Sequence, residues 1–183
     1  MVSGLNKSGS FNIMVDIRNF VIPSRQNNHM PYQNLNIMYD FGPIDVKVIE
    51  IFEQDNKINF PLSYKKLIAS HNGMQFIENS FEYSDSNNEV GESSIAFCCF
   101  GQGVGGDHIE NCQDQDIYGH DKIVVFGLNG CGDYIGFDYR SDVNNPKVVL
   151  MYHDQYIKDQ HGQPKLELIE VCDSFDNFLN LLR

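Results

Sequence analysis

Tryptophan is absent, and cations are scarce: 13 Lys and Arg stand against 25 Asp and Glu, a formal net charge of −12. A surface of that sign repels nucleic-acid phosphate and anionic lipid, and it attracts basic proteins. No apolar run is long enough to cross a bilayer. No basic stretch leads into an apolar one near residue 1, so no secretory signal is visible. The five cysteines are odd in number and show no paired spacing. That speaks against a disulfide framework and for reduced, largely buried thiols, hence a cytoplasmic protein. Familiar zinc spacings are missing, and so is the G-x-S-x-G elbow of serine hydrolases. There is no internal repeat and no dividing linker. The 183 residues read as a single domain, long enough for a proper core.

What is present begins with one short amphipathic helix. Pro61 suits a first turn, because it has no amide proton to leave unpaired. Tyr64, Leu67, Ile68 and His71 follow at i, i+3, i+4 and i+7 on one face. Asn72-Gly73 tolerates the left-handed backbone that ends a helix. Before it, Gly42-Pro43 opens another helix, with Ile44, Val48, Ile51 and Phe52 inward and Asp45, Glu50 and Glu53 outward. Further on the apolar period changes. Phe76-Ile77 and Phe81-Tyr83 suggest a strand, and Asp85 to Ser94 a solvent loop. Ile95 to Phe100 suits a central strand buried on both faces. Asp107 to Tyr118 is weakly helical, anchored by Ile109, Cys112 and Ile117. Lys122 to Phe126 and Tyr134 to Tyr139 form a hairpin. Val148 to Tyr152 and Leu166 to Val171 are the last strands, with polar loop over Tyr156 to Pro164 and a possible bulge near Ile169-Glu170. Phe175, Phe178, Leu179 and Leu182 share one face of a closing helix, capped by Asp173 or Ser174.

Three of these blocks, in this order, carry a resemblance. Phe60-Pro61, two residues, Tyr64-Lys65, a short apolar helix and Asn72-Gly73 form the first. Lys122 to Phe126, a Gly-rich turn, then Gly132-Asp133-Tyr134 through Asp138 form the second. Asp173 to Leu179 form the third. Together they resemble the SUKH superfamily, the Smi/Knr-type domain. The resemblance covers roughly residues 43–183. It implies an α+β fold, with an antiparallel or mixed sheet of about five or six strands and helices packed on one face. Residues 1–42 stand outside it as an N-terminal extension, a hairpin or an arm. Within them Phe11 to Ile22 has strand-like alternation and Pro23 to Tyr39 reads as loop.

Several patterns imitate active sites. Gly101 to Gly106 matches G-x-G-x-x-G, but Asp107 and Glu110 place negative charge where a phosphate would rest, and no acid stands ready for a ribose. A flexible loop is the plainer reading. His108, Cys112 and His120 lie near one another without zinc-like spacing. Asp85, Glu89 and Glu92 lack the ligand spacing of a calcium loop. Cys131 occupies a Gly-Cys-Gly turn, and His153-Asp154 reads as an ordinary turn after a strand. The expectation is therefore a non-enzyme without metal or cofactor.

The resemblance gives the acidity a use. Many bacterial members of the superfamily act as immunity proteins that bind a cognate toxin and block it. A nuclease-type toxin has a basic cleft, and an acidic inhibitor would be steered onto it and occlude it. The expected contact residues are Asp107, Glu110, Asp114 and Asp116, with Tyr118 and Tyr134 as anchors, since interface hot spots favour tyrosine. The rival is a scaffold or interaction module like the fungal cell-wall regulators that resemble this domain. Neither reading involves direct nucleic-acid binding or a membrane.

Overall fold

The computed structural model describes residues 34–101 and 105–183. The Phe11 to Ile22 strand-like segment therefore lies outside the described residues. The chain runs through β1 (Ile37–Tyr39), α1 (Val46–Asn56), α2 (Leu62–Ser70), β2 (Gln75–Phe76), β3 (Ser80–Ser84), β4 (Val90–Ser94) and β5 (Ala96–Phe97). A 3-10 turn (Ile109–Cys112) and α3 (Gln115–Tyr118) come next, then β6 (Ile123–Leu128), β7 (Tyr134–Asp138), β8 (Lys147–Lys158), β9 (Pro164–Cys172) and α4 (Phe175–Leu181). The main sheet is antiparallel, five strands in the order β5-β6-β7-β8-β9, and β1-β2 and β3-β4 form two small pairs beside it. The fold is α+β.

The core is an aromatic cluster between the sheet and the helices. Phe126 of β6 stacks on Phe137 of β7 at 4.2 Å between ring centres. Tyr64 of α2 and Phe175 of α4 meet both rings edge-on. Strand alternation decides which residues reach this layer. Ile135, Phe137 and Tyr139 face the helices. Tyr134 and Asp138 face away, and there Tyr118 of α3 packs on Tyr134 with ring centres 4.8 Å apart. The longer helices α1, α2 and α4 thus occupy one side, and residues 109–118 cover part of the other.

Helix ends obey local chemistry. Asp45 caps α1 by accepting from the Lys47 amide, and Ser174 caps α4 by accepting from the Asn177 amide. Pro61 stands one place earlier than expected, at the cap of α2. Gly73 ends that helix segment at φ 57°, where a Cβ would come within 2.7 Å of Cys99 and Phe41 side-chain atoms. Space as well as backbone angle excludes other residues there.

Several expectations fail for identifiable reasons. The inner face of α1 is rotated. Ile51 is 57% exposed, whereas Glu53 is 7% exposed, because its carboxylate accepts from the Phe60 amide at 2.6 Å and pairs with Lys65. Half of the expected solvent loop at 85–94 is strand β4, turned by the Asp85 carboxylate, which accepts from the Asn87 and Glu89 amides. Tyr156 to Pro164 is largely the far half of a long β8-β9 hairpin, and His153-Asp154 lie inside β8 rather than in a turn. Residues 95–100 do not form a central strand, since only Ala96–Phe97 pair as β5, at the sheet's edge. Tyr39, expected in loop, belongs to β1, which pairs with β2. The bulge on β9 lies beside Glu170, where the register against β8 shifts between Val148 and Val149.

Candidate partner-binding surface

The acidic segment 107–116 is held against the sheet edge where β5 stops. Side-chain amides complete the pairing that backbone leaves open. Gln113 donates to the Val125 carbonyl at 2.8 Å and accepts from the Val125 amide at 3.1 Å. Asn72 does the same for Phe100, at 2.9 and 2.8 Å. Residues 99 and 107–109 are joined by two backbone bonds, from the Cys99 amide to Asp107 and from the Ile109 amide to Cys99. Ile109 and Cys112 are buried beneath the segment. The Cys112 and Cys98 thiols lie 3.6 Å apart, and this contact together with burial pushes the Cys98 thiol up.

On this anchored segment Asp107, Glu110, Asp114 and Asp116 are all exposed. None of the four forms an ion pair among the described residues. Asp114 also caps α3, accepting from the Ile117 amide at 3.2 Å. Between Gly105 and Asp121 the sequence contains no Lys or Arg. These exposed acids thus share one anchored segment that has no Lys or Arg of its own.

The two tyrosines part company. Tyr118 is 1% exposed; its ring is spent against Tyr134 and its hydroxyl finds no partner among the described residues. It therefore presents nothing to another protein, which corrects its expected place as an anchor. Tyr134 is half-buried, and burial, with Tyr156 and Asp114 nearby, pushes its hydroxyl pKa up.

Two residues not singled out from the sequence join the surface. A shallow groove of about 260 Å³ runs between α1 and residues 110–113. Glu110 lines it from the 110–113 side, and Asp55 and the exposed Ile51 from α1. Spacing from Ile44 predicts a core position for Ile51. Only the rotation of α1 turns it outward. The second acidic stretch, at Asp85, Glu89 and Glu92, does not merge with this face. Its hairpin packs through Phe81 on Phe178 of α4, on the helix side of the sheet.

The residues that imitated catalytic sites are otherwise engaged. The His120 ring bonds to the Leu166 carbonyl at 2.8 Å and is buried. His108 bridges to Cys99 through its backbone. Among the described residues no group of three His, Cys, Asp or Glu is placed to hold a metal. The G-x-G-x-x-G loop has residues 102–104 outside the described chain, and it leads into a four-residue 3-10 turn rather than a full helix. Cys131 is exposed in a turn fastened by Asn129, whose side-chain oxygen accepts from the Cys131 and Asp133 amides. His153 bonds through Nδ1 to the buried Asp133 carboxylate at 2.8 Å. No described helix is long and apolar enough to cross a membrane.

A family model described as SMI1-KNR4 cell-wall matches residues 47–179. No curated protein matches the chain, and no solved structure does.

Proposed function

The chain belongs to the SUKH family, of the SMI1-KNR4 type, and from that premise we propose that it is an immunity protein. The family includes toxin-immunity proteins and cell-wall-related members, and its domains are generally non-catalytic. In this reading the protein acts in the cytoplasm. It binds a cognate toxin with a basic cleft, of nuclease type, and blocks it by occlusion. It turns nothing over itself.

The observation that carries this is the exposed, ion-pair-free carboxylate series Asp107, Glu110, Asp114 and Asp116 on a segment tied to the sheet edge. Fixed charge in one place steers a basic partner and costs little ordering on binding. Ile51 in the adjoining groove supplies an apolar contact with Asp55 and Glu110 beside it. Tyr134 remains a contact residue at the margin.

The test starts from a pull-down in the native host, with the partner identified by mass. Affinity for that partner is then measured against salt, for the parent and for the variant with all four acids changed to Lys. An exposed pair is worth up to about 1 kcal/mol, so the variant is expected to bind roughly a hundredfold more weakly or worse. It should also fail to protect cells expressing the toxin. Full protection by the variant, or an affinity indifferent to salt, overturns the electrostatic mechanism. The family's cell-wall description favours a second reading, a non-catalytic scaffold module. Recovery of a cell-wall assembly factor instead of a toxin would establish it.

A further inference from the structure

Of the ten Lys and Arg among the described residues, four are ion-paired: Lys65, Arg140, Lys147 and Arg183. Lys57 and Lys122 form no ion pair among the described residues, and both line the same cleft. It measures about 510 Å³ and lies between the α1–α2 link and the start of β6. Ile58, Ile123, Val124, the Tyr139 ring and Val143, 57% exposed, make the apolar part of its wall, and Asn56, Asn59, Gln113 and Gln115 make a polar part. The Tyr139 hydroxyl donates to the Asn59 carbonyl at 3.0 Å, so the wall is fixed.

The two lysines also share a backbone feature. Lys57 has φ 55° and Lys122 φ 58°. Both are left-handed, a region that favours Gly or Asn and costs other residues on the order of 1 kcal/mol. Two lysines hold such positions on one cleft. Lys57 is also the C-cap of α1, its amide donating to the Gln54 and Glu53 carbonyls. Asp121 is the single acid on the lining, and the cleft carries net positive charge within a strongly negative molecule.

We propose that this cleft binds a small organic anion, an apolar ring or chain bearing a carboxylate or phosphate. The apolar body rests on Ile58 and Val143, and the anionic group lies between Lys57 and Lys122. The site adjoins the acidic segment, whose Gln113 and Gln115 also line the cleft.

Titration of the isotope-labelled full chain followed by NMR tests it. The probes are benzoate, phenyl phosphate, the neutral benzyl alcohol and inorganic phosphate. Saturable shifts at the Ile58, Ile123 and Val143 amides are expected for benzoate or phenyl phosphate, and whichever of these binds more tightly names the anion. Benzyl alcohol and inorganic phosphate are expected to bind at least about tenfold more weakly, each lacking one half of the recognition. The double variant Lys57→Gly, Lys122→Gly relieves the left-handed strain, so it should fold with Tm near the parent's and bind about tenfold more weakly. Lys57→Gln with Lys122→Gln is the fallback if the glycine variant does not fold. No binding by either aromatic anion, equal binding by benzyl alcohol, or undiminished binding by the folded lysine variants overturns the proposal.

Discussion

Two tyrosine hydroxyls, those of Tyr64 and Tyr118, are buried with no hydrogen-bond partner among the described residues. A buried hydroxyl without a partner costs desolvation and returns nothing. Tyr64→Phe is therefore expected to leave stability unchanged or raise it by up to about 1 kcal/mol, read as Tm; a clear fall would mean that the hydroxyl has a partner. The Asp133–His153 pair makes the opposite kind of prediction. Burial pushes the Asp133 carboxyl up, but bonds from the His153 amide and ring and from Asn129 outweigh it and hold the group below 3.8. The bond to Asp133 in turn holds His153 above 6.5. A raised histidine gives stability that is complete below 6.5 and is lost as pH climbs through the raised value. A lowered aspartate gives stability that is complete above 3.8 and is lost as pH falls through the lowered value. The pair thus supports the fold fully between those two limits. In Asp133→Asn the His153 ring-proton titration should move down toward 6.5, and an unmoved midpoint would remove the pair from the account. Neither feature could be read from residue order. A tyrosine's burial and a histidine's partner depend on chain that arrives from elsewhere.

Helix α1 shows how far periodicity reaches. Apolar spacing identifies a helix here and puts Phe52 inside, and it is buried. It puts Glu53 outside, because a charge has no place in a core unless something meets it. The Phe60 amide, seven residues on, meets it. Glu53→Ala would leave that amide buried and unpaired, an expected loss of about 1–3 kcal/mol in urea unfolding. Glu53→Gln keeps an acceptor and should cost less; equal losses would show that packing, not the bond, is what matters. Gln113 plays the matching part at the sheet edge. Gln113→Ala should speed hydrogen exchange at the Val125 amide and loosen the acidic segment above it, with the remaining β6-β7 pairing protected as before. Sequence places β6, β7 and their Gly-rich turn well, since those strands pair with near neighbours. It misreads 95–100 as central, because an unbroken apolar run looks alike at an edge covered by other side chains. It reads Tyr156 to Pro164 as loop because an exposed hairpin end has no apolar alternation to announce it.

For the molecule as a whole, charge is the long-range property and packing the local one. Reversal of Asp107, Glu110, Asp114 and Asp116 is expected to flatten the salt dependence of partner association and slow its on-rate, with Tm lowered only by the lost Asp114 cap on α3, worth about 1 kcal/mol. A large fall in Tm would mean that these acids serve the fold. The residue order alone pointed to the α+β class, the family resemblance, the closing helix with Asp173 or Ser174 at its cap, and the shortage of cations along 105–121. Each of these depends on neighbours within a turn or a strand, or on composition. Tertiary structure decided the rest. It turned Ile51 outward and Glu53 inward, withdrew Tyr118 into the core, and put Lys57 and Lys122 on one cleft. Those outcomes join residues far apart in the chain, and only the closing of the sheet against its helices fixes which of them meet.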